Sequence, residues 1–139
     1  MKIDQYEFPD VLLYDDEHNW ARVEDGVVTQ GLSDFGQDLA GEIVFVEIPR
    51  VGRTVQQGQP FMSMESGKWV GRVKAVVSGT ILEANEEIEW ECTVINESPY
   101  DAGWLVKIEL ADPAELENLW QPEAAYEEFI AAERKKYDK

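Results

Sequence analysis

The chain reads as a strand-rich fold with short helices, and three observations carry that reading. Runs of β-branched and aromatic residues bounded by Gly, Pro or Asp recur from Trp20 to Leu110, the pattern of short strands joined by turns. Between two of these runs lies Asp25-Gly26, a pair suited to a tight hairpin turn. Helical signals are confined to a short segment after Ser33 and to a C-terminal stretch at about 113–136. With 44% hydrophobic content, residues 1–139 are expected to form a single domain around one modest core.

The elements follow in order. Trp20–Val23 and Val27–Thr29 are the arms of the first hairpin. Ser33 and Asp34 offer side-chain oxygens as an N-cap for a helix to about Leu39, and Gly41 closes it, because glycine tolerates the backbone that ends helices. Ile43–Ile48 is a β-branched and aromatic strand ended by Pro49. Gly52 and Gly58 punctuate the approach to a strand starting near Phe61, which pairs with one starting near Trp69; a further strand runs from Gly79 to Glu83. Glu86–Glu97 is acidic and irregular in pattern. Pro99, Asp101 and Gly103 mark a loop before the strand Trp104–Leu110. Pro113 opens a short helix carrying Leu116, Leu119 and Trp120, and Pro122 begins another with Tyr126, Phe129 and Ile130 as its apolar stripe. Lys135 and Lys136 complement the dipole at the end of that helix.

Twelve Lys and Arg stand against twenty-nine Asp and Glu, a formal net charge of −17. Five Trp and an aromatic content of 11% supply the side chains of a core, so this charge is expected on a folded surface. Such a surface repels phosphates: nucleic acid and anionic membranes are not expected as partners, and proteins with basic docking faces are. Solubility alone accounts for the acidity equally well. Cys92 is the only cysteine, which excludes an internal disulfide and a cysteine-pair metal site. The first ten residues lack the apolar run of a signal peptide, and nothing later is apolar enough to span a bilayer, so a cytoplasmic protein is expected.

The chemistry centres on residues 61–75. If Gly67 and Lys68 form a two-residue loop, Ser66 faces Trp69, Met64 faces Gly71 and Met62 faces Val73. Hydrophobicity tests that register. Met62, Met64, Trp69, Val73 and Ala75 fall on one face, and Ser63, Glu65, Arg72 and Lys74 on the other, with only Phe61 and Val70 out of place. Gly67 is then expected at the first central position of a type II′ turn, where φ is positive. Lys68 projects from the tip, held in place by two paired strands and accessible to a modifying enzyme. Hairpin geometry alone fits an ordinary solvated lysine better; the longer pattern changes that.

Glu65-Ser66-Gly67-Lys68, followed by Val77-Ser78-Gly79-Thr80, resembles the modification site of the glycine-cleavage H proteins. Three other stretches agree in order. They are Glu17-His18-Asn19-Trp20 with Arg22-Val23-Glu24-Asp25-Gly26, then Gly41–Pro49, then Asn96-Glu97-Ser98-Pro99-Tyr100 with Gly103-Trp104-Leu105. The resemblance implies a barrel-sandwich hybrid of the lipoyl and biotinyl carrier type, with lipoic acid amide-linked to Lys68. It also implies that Glu65, Ser66, Gly67 and Trp69 form the surroundings of the arm and the surface a ligase recognises. Lipoate is a dithiolane on a flexible tether; reduced, it can hold a fragment on sulfur. One His and one Cys in separate regions give no nucleophile with its base, in keeping with a carrier that is no enzyme by itself.

Several positions depart from the H-protein pattern: Gly67 replaces the usual Val, Trp69 the usual Ala, and Val76 the usual Pro, and Gly71 and Arg72 also differ. On these the chain is closer to the H-like lipoate-binding proteins of heterodisulfide-reductase-like sulfur oxidation. The implied cargo is a sulfur intermediate, with glycine cleavage and its aminomethyl group as the alternative. The implied partners are a lipoate ligase or lipoyl transferase, a heterodisulfide-reductase-like complex or the glycine cleavage enzymes, and dihydrolipoamide dehydrogenase. An unmodified acidic binding domain is a further reading. A biotin carrier fits less well, because that family flanks its lysine with methionines.

Overall fold

The computed structural model describes residues 1–139. Its largest sheet is antiparallel, in the order β3 (Leu13–Tyr14), β4 (Asn19–Glu24), β5 (Val27–Leu32), β11 (Val106–Leu110), β10 (Gly79–Ala84), β7 (Thr54–Val55). A second sheet has the order β6 (Ile43–Glu47), β8 (Pro60–Ser66), β9 (Val70–Lys74). β1 (Lys2–Ile3) and β2 (Tyr6–Glu7) form a small ribbon. The β4–β5 turn is the expected one: Asp25 and Gly26 have φ of 49° and 78°, and Glu24 pairs with Val27 across it. Two positive φ values match the right-handed twist of the flanking strands.

Helix α1 (Asp34–Ala40) is capped as its sequence requires: Ser33 Oγ accepts the Gly36 amide at 3.0 Å, and Gly41 has φ 85°. The acidic stretch expected to be irregular instead contains two single helical turns, α2 (Glu87–Trp90) and α3 (Val94–Glu97). Each buries one isoleucine, Ile88 and Ile95, and two anchors seven residues apart give too few points for a period to register. Pro113–Asn118 is a 3-10 helix and not an α-helix; Asp112 caps it, and Trp120 leaves it to bridge Tyr14. The C-terminal helix α4 (Ala124–Lys136) starts two residues after Pro122 and buries Tyr126 and Ile130, with Phe129 half-buried beside them. No helix is long and apolar enough to cross a membrane.

The core has two parts. One cluster of 20 buried residues, mostly Val, Ile, Met and Ala, fills the space enclosed by the two larger sheets. Buried Gln30 ties the sheets together there: its Nε2 donates to Lys74 O at 2.8 Å and its Oε1 accepts the Val76 amide at 3.0 Å. The second cluster of 9 is aromatic, with Tyr6, Phe8, Tyr14, Trp20, Phe35 and Tyr126 in it, and joins the N-terminal ribbon to α1 and α4. Sequence periodicity gave no sign of that ribbon, because two-residue strands are too short to alternate.

Candidate functional site

Strands β8 and β9 pair in the expected register: Met62 with Val73, Ser63 with Arg72, Met64 with Gly71, Glu65 with Val70. Met62, Met64, Val73 and Ala75 are buried, and Glu65 and Arg72 are exposed. Phe61 is buried despite its place in the alternation because the pairing slips between Pro60 and Met62, which turns it inward. Gly67 and Lys68 are the exposed loop. The turn is not type II′, since Gly67 lies outside the left-handed region. One backbone bond, Ser66 N–H to Trp69 O at 2.7 Å, closes the loop, and Ser66 Oγ takes the Lys68 amide at 3.3 Å, so no positive φ is needed.

Ser66 does more than form the turn. Its buried hydroxyl donates to Ala40 O at 2.5 Å, which ties the hairpin tip to the end of α1. Asn96 fixes that helix end from the other side: Nδ2 donates to Gly41 O at 2.8 Å and Oδ1 accepts the Ile43 amide at 2.9 Å. Gly41 carries no side chain where the lysine passes, and a Cβ there would lie 2.6 Å from Lys68 Cε. The Lys68 stem therefore lies directly over Gly41, which leaves it room and also needs its positive φ.

Beside Lys68 is a cleft of about 360 Å³, bordered by Trp69, by His18 and Asn19 at the start of β4, and by Leu39 on α1. Trp69 is half-buried, with its indole across Gly71, where a Cβ would come within 2.2 Å of the ring. His18 Nε2 lies 2.8 Å from Glu133 Oε1. Burial pushes the His18 pKa below its ordinary 6.5, against the upward pull of Glu133. A neutral ring facing a carboxylate carries its proton on Nε2, which leaves Nδ1 as an acceptor. Nδ1 and Asn19 Oδ1 are buried without donors. Burial also raises Asp15 from 3.8 to about 6, although the Asn19 side chain and the amides of Glu17 and Asn19 donate to its carboxylate.

Of the sequence-derived site residues, Ser66, Gly67, Lys68 and Trp69 gather at the tip, while Glu65 points to the opposite face of the hairpin beside Val70. Gly41 was expected only as the end of α1, and Asn96, His18 and Asn19 entered only through the resemblance. Their part in the site rests on contacts between distant segments, and the one local hint was that they fall inside the resembling stretches. Those stretches form one unit: Trp20 Nε1 donates to Pro99 O at 2.8 Å, Arg22 to Tyr100 O at 3.1 Å, and Tyr100 Oη accepts the Asp34 amide at 2.9 Å.

Comparison with known proteins places this arrangement. The family model described as "Glycine cleavage H-protein" matches residues 12–133. The chain is 45% identical over 122 residues to a glycine cleavage system H protein of Staphylococcus saprophyticus, covering 88% of this chain and 96% of that one. It is 46% identical over 113 residues to one of Brevibacillus brevis, covering 81% and 90%. A crystal structure of a glycine cleavage system H protein from Mycobacterium marinum superposes with a TM-score of 0.79 at 29% identity, covering 91% of this chain and 98% of that one. These relatives carry the glycine cleavage name, so the preference for sulfur oxidation, drawn from a few residues around Lys68, finds no support in them. The fold is the barrel-sandwich hybrid of that structural relative, and the chain belongs to the glycine cleavage H-protein family, the lipoyl carriers.

Proposed function

We propose that the protein is the carrier of a glycine cleavage system, with Lys68 as the point of lipoyl attachment, and that it catalyses no turnover by itself. The observation that carries this reading is the family match over residues 12–133, within which an exposed lysine stands at the tip of a two-residue hairpin loop. The residues present fit the group: the tip is accessible, Gly41 leaves room for the tether's first atoms, and an open cleft lies alongside. When attached, lipoate would supply a dithiolane that takes a one-carbon fragment onto one sulfur as its S–S bond is opened by the electron pair released in glycine decarboxylation, and that recloses as a disulfide on reoxidation.

The protein's own residues position and receive. Ser66 anchors the tip to α1, and Asn96 holds the end of α1, so that Lys68 leaves the surface at a fixed place. His18 and Asn19 border the cleft that lies alongside the arm. The partners in this reading are a lipoate ligase or lipoyl transferase, the glycine decarboxylase, the folate-dependent enzyme and dihydrolipoamide dehydrogenase, in the cytoplasm. The test is to mix the lipoylated protein, in its oxidised and reduced forms, with glycine and the glycine decarboxylase, or with a heterodisulfide-reductase-like system and a sulfur donor. Loading by the decarboxylase alone is expected, and loading by the sulfur system alone overturns the glycine cleavage assignment.

A further inference from the structure

Three of the five arginines in this acidic chain, Arg50, Arg53 and Arg72, border one open groove of about 780 Å³. The groove lies between the loop after β6 and the outer face of the β8–β9 hairpin, and Glu47 is the one acid along it. None of the three arginines forms a salt bridge, although twenty-nine Asp and Glu are available in the chain. By contrast, Arg134 pairs with Asp4 and Arg22 lies over the Trp20 ring. Three guanidinium groups without a carboxylate partner along one groove, against the single acid Glu47, set this face apart in a molecule of net charge −17.

The same face carries exposed apolar side chains next to these charges, with Glu65 the acid among them. Phe45, Glu65 and Val70 form one row across β6, β8 and β9, and Glu47, Ser63 and Arg72 form the next. Phe45 is 50% exposed, Val44 60% and Val70 76%. Arginines beside exposed apolar side chains have the composition of a protein interface. The groove is also continuous with the candidate site, since Arg72 borders both it and the cleft beside Lys68.

We propose that this groove docks an acidic chain segment of an enzyme that acts at Lys68, covering Val44, Phe45 and Val70 in the same contact. The proposal rests on the carrier reading above. It reverses, for this one face, the expectation of partners with basic docking faces: the bulk of the surface attracts positive charge, and the face next to the hairpin tip selects negative charge. A partner with both then has one orientation in which to approach the lysine.

The test is the KM of each enzyme that acts on the arm, namely the ligase, the decarboxylase, the folate enzyme and the dehydrogenase, for wild type and for Arg50→Glu. Arg53 is left in place because it donates to Phe61 O at 2.9 Å and supports the fold, and Arg72 because it also borders the cleft beside Lys68. Lys2→Glu changes net charge by the same amount away from the groove, and thermal unfolding checks that each variant folds. For at least one enzyme the groove variant raises KM about tenfold with kcat little changed, the control stays within about twofold, and added salt weakens only the wild type and the control. A KM that is unchanged or lower for every enzyme, with Lys68 normally loaded, overturns the groove alone. Wild type that accepts no lipoyl group in an intact-mass measurement overturns the carrier reading, and the groove proposal with it.

Discussion

Val76 occupies the position at which H proteins usually carry proline, and its amide donates to buried Gln30 Oε1 at 3.0 Å. Proline has no amide hydrogen, so Val76→Pro should leave that oxygen unpaired in the core and cost about 1–3 kcal/mol in urea unfolding. Gly67 is the reverse case. Its φ is not positive and a Cβ there meets nothing within 4 Å, so Gly67→Val, the family's usual residue, should change stability by no more than about 0.5 kcal/mol. Gly71 differs again, because the Trp69 indole lies where its Cβ would be. Gly71→Ala should cost about 1–3 kcal/mol in wild type and almost nothing in a Trp69→Ala background, an interaction a double-mutant cycle measures directly. Trp69 and Gly71 thus depart from the family pattern as a pair.

Among the elements, the hairpin was the most legible in the sequence, because nine residues alternating between two faces select one register. The first hairpin and α1 were legible for a related reason: Asp25-Gly26, Ser33 and Gly41 are local signals with local causes. What holds the tip was not legible. The Ser66 bond to Ala40 spans 26 residues and the Asn96 bond to Gly41 spans 55, and no local pattern encodes either. Ser66→Ala should remove the link between hairpin and helix, lowering stability by about 1 kcal/mol and speeding amide exchange at Lys68 and Trp69 more than at Met64. Equal exchange rates across the hairpin in that variant would mean that α1 does not restrain the tip.

For the whole molecule, two groups shifted by burial give stability opposing dependences on pH. Asp15 titrates at about 6 in the folded protein against 3.8 ordinarily, so the folded state binds the extra proton between these values. Its contribution is favourable below pH 4 and is lost as pH rises through 6, by at most about 3 kcal/mol. His18 lies below its ordinary 6.5, so its contribution is present above that value and is lost as pH falls. Asp15→Asn should therefore remove the decline in stability between pH 4 and 6. His18→Asn, which keeps a residue tolerant of the 67° φ at that position, should remove the loss on acidification. Urea unfolding from pH 4 to 8 separates the two.

The most direct test of the account is the intact mass of the protein after expression with a lipoate ligase and lipoate, followed by fragmentation to place the adduct. One lipoyl increment on Lys68, absent from a folded Lys68→Arg variant, is the predicted result. An unmodified Lys68, from a ligase that loads another carrier under the same conditions, or an increment on any other lysine, would contradict it.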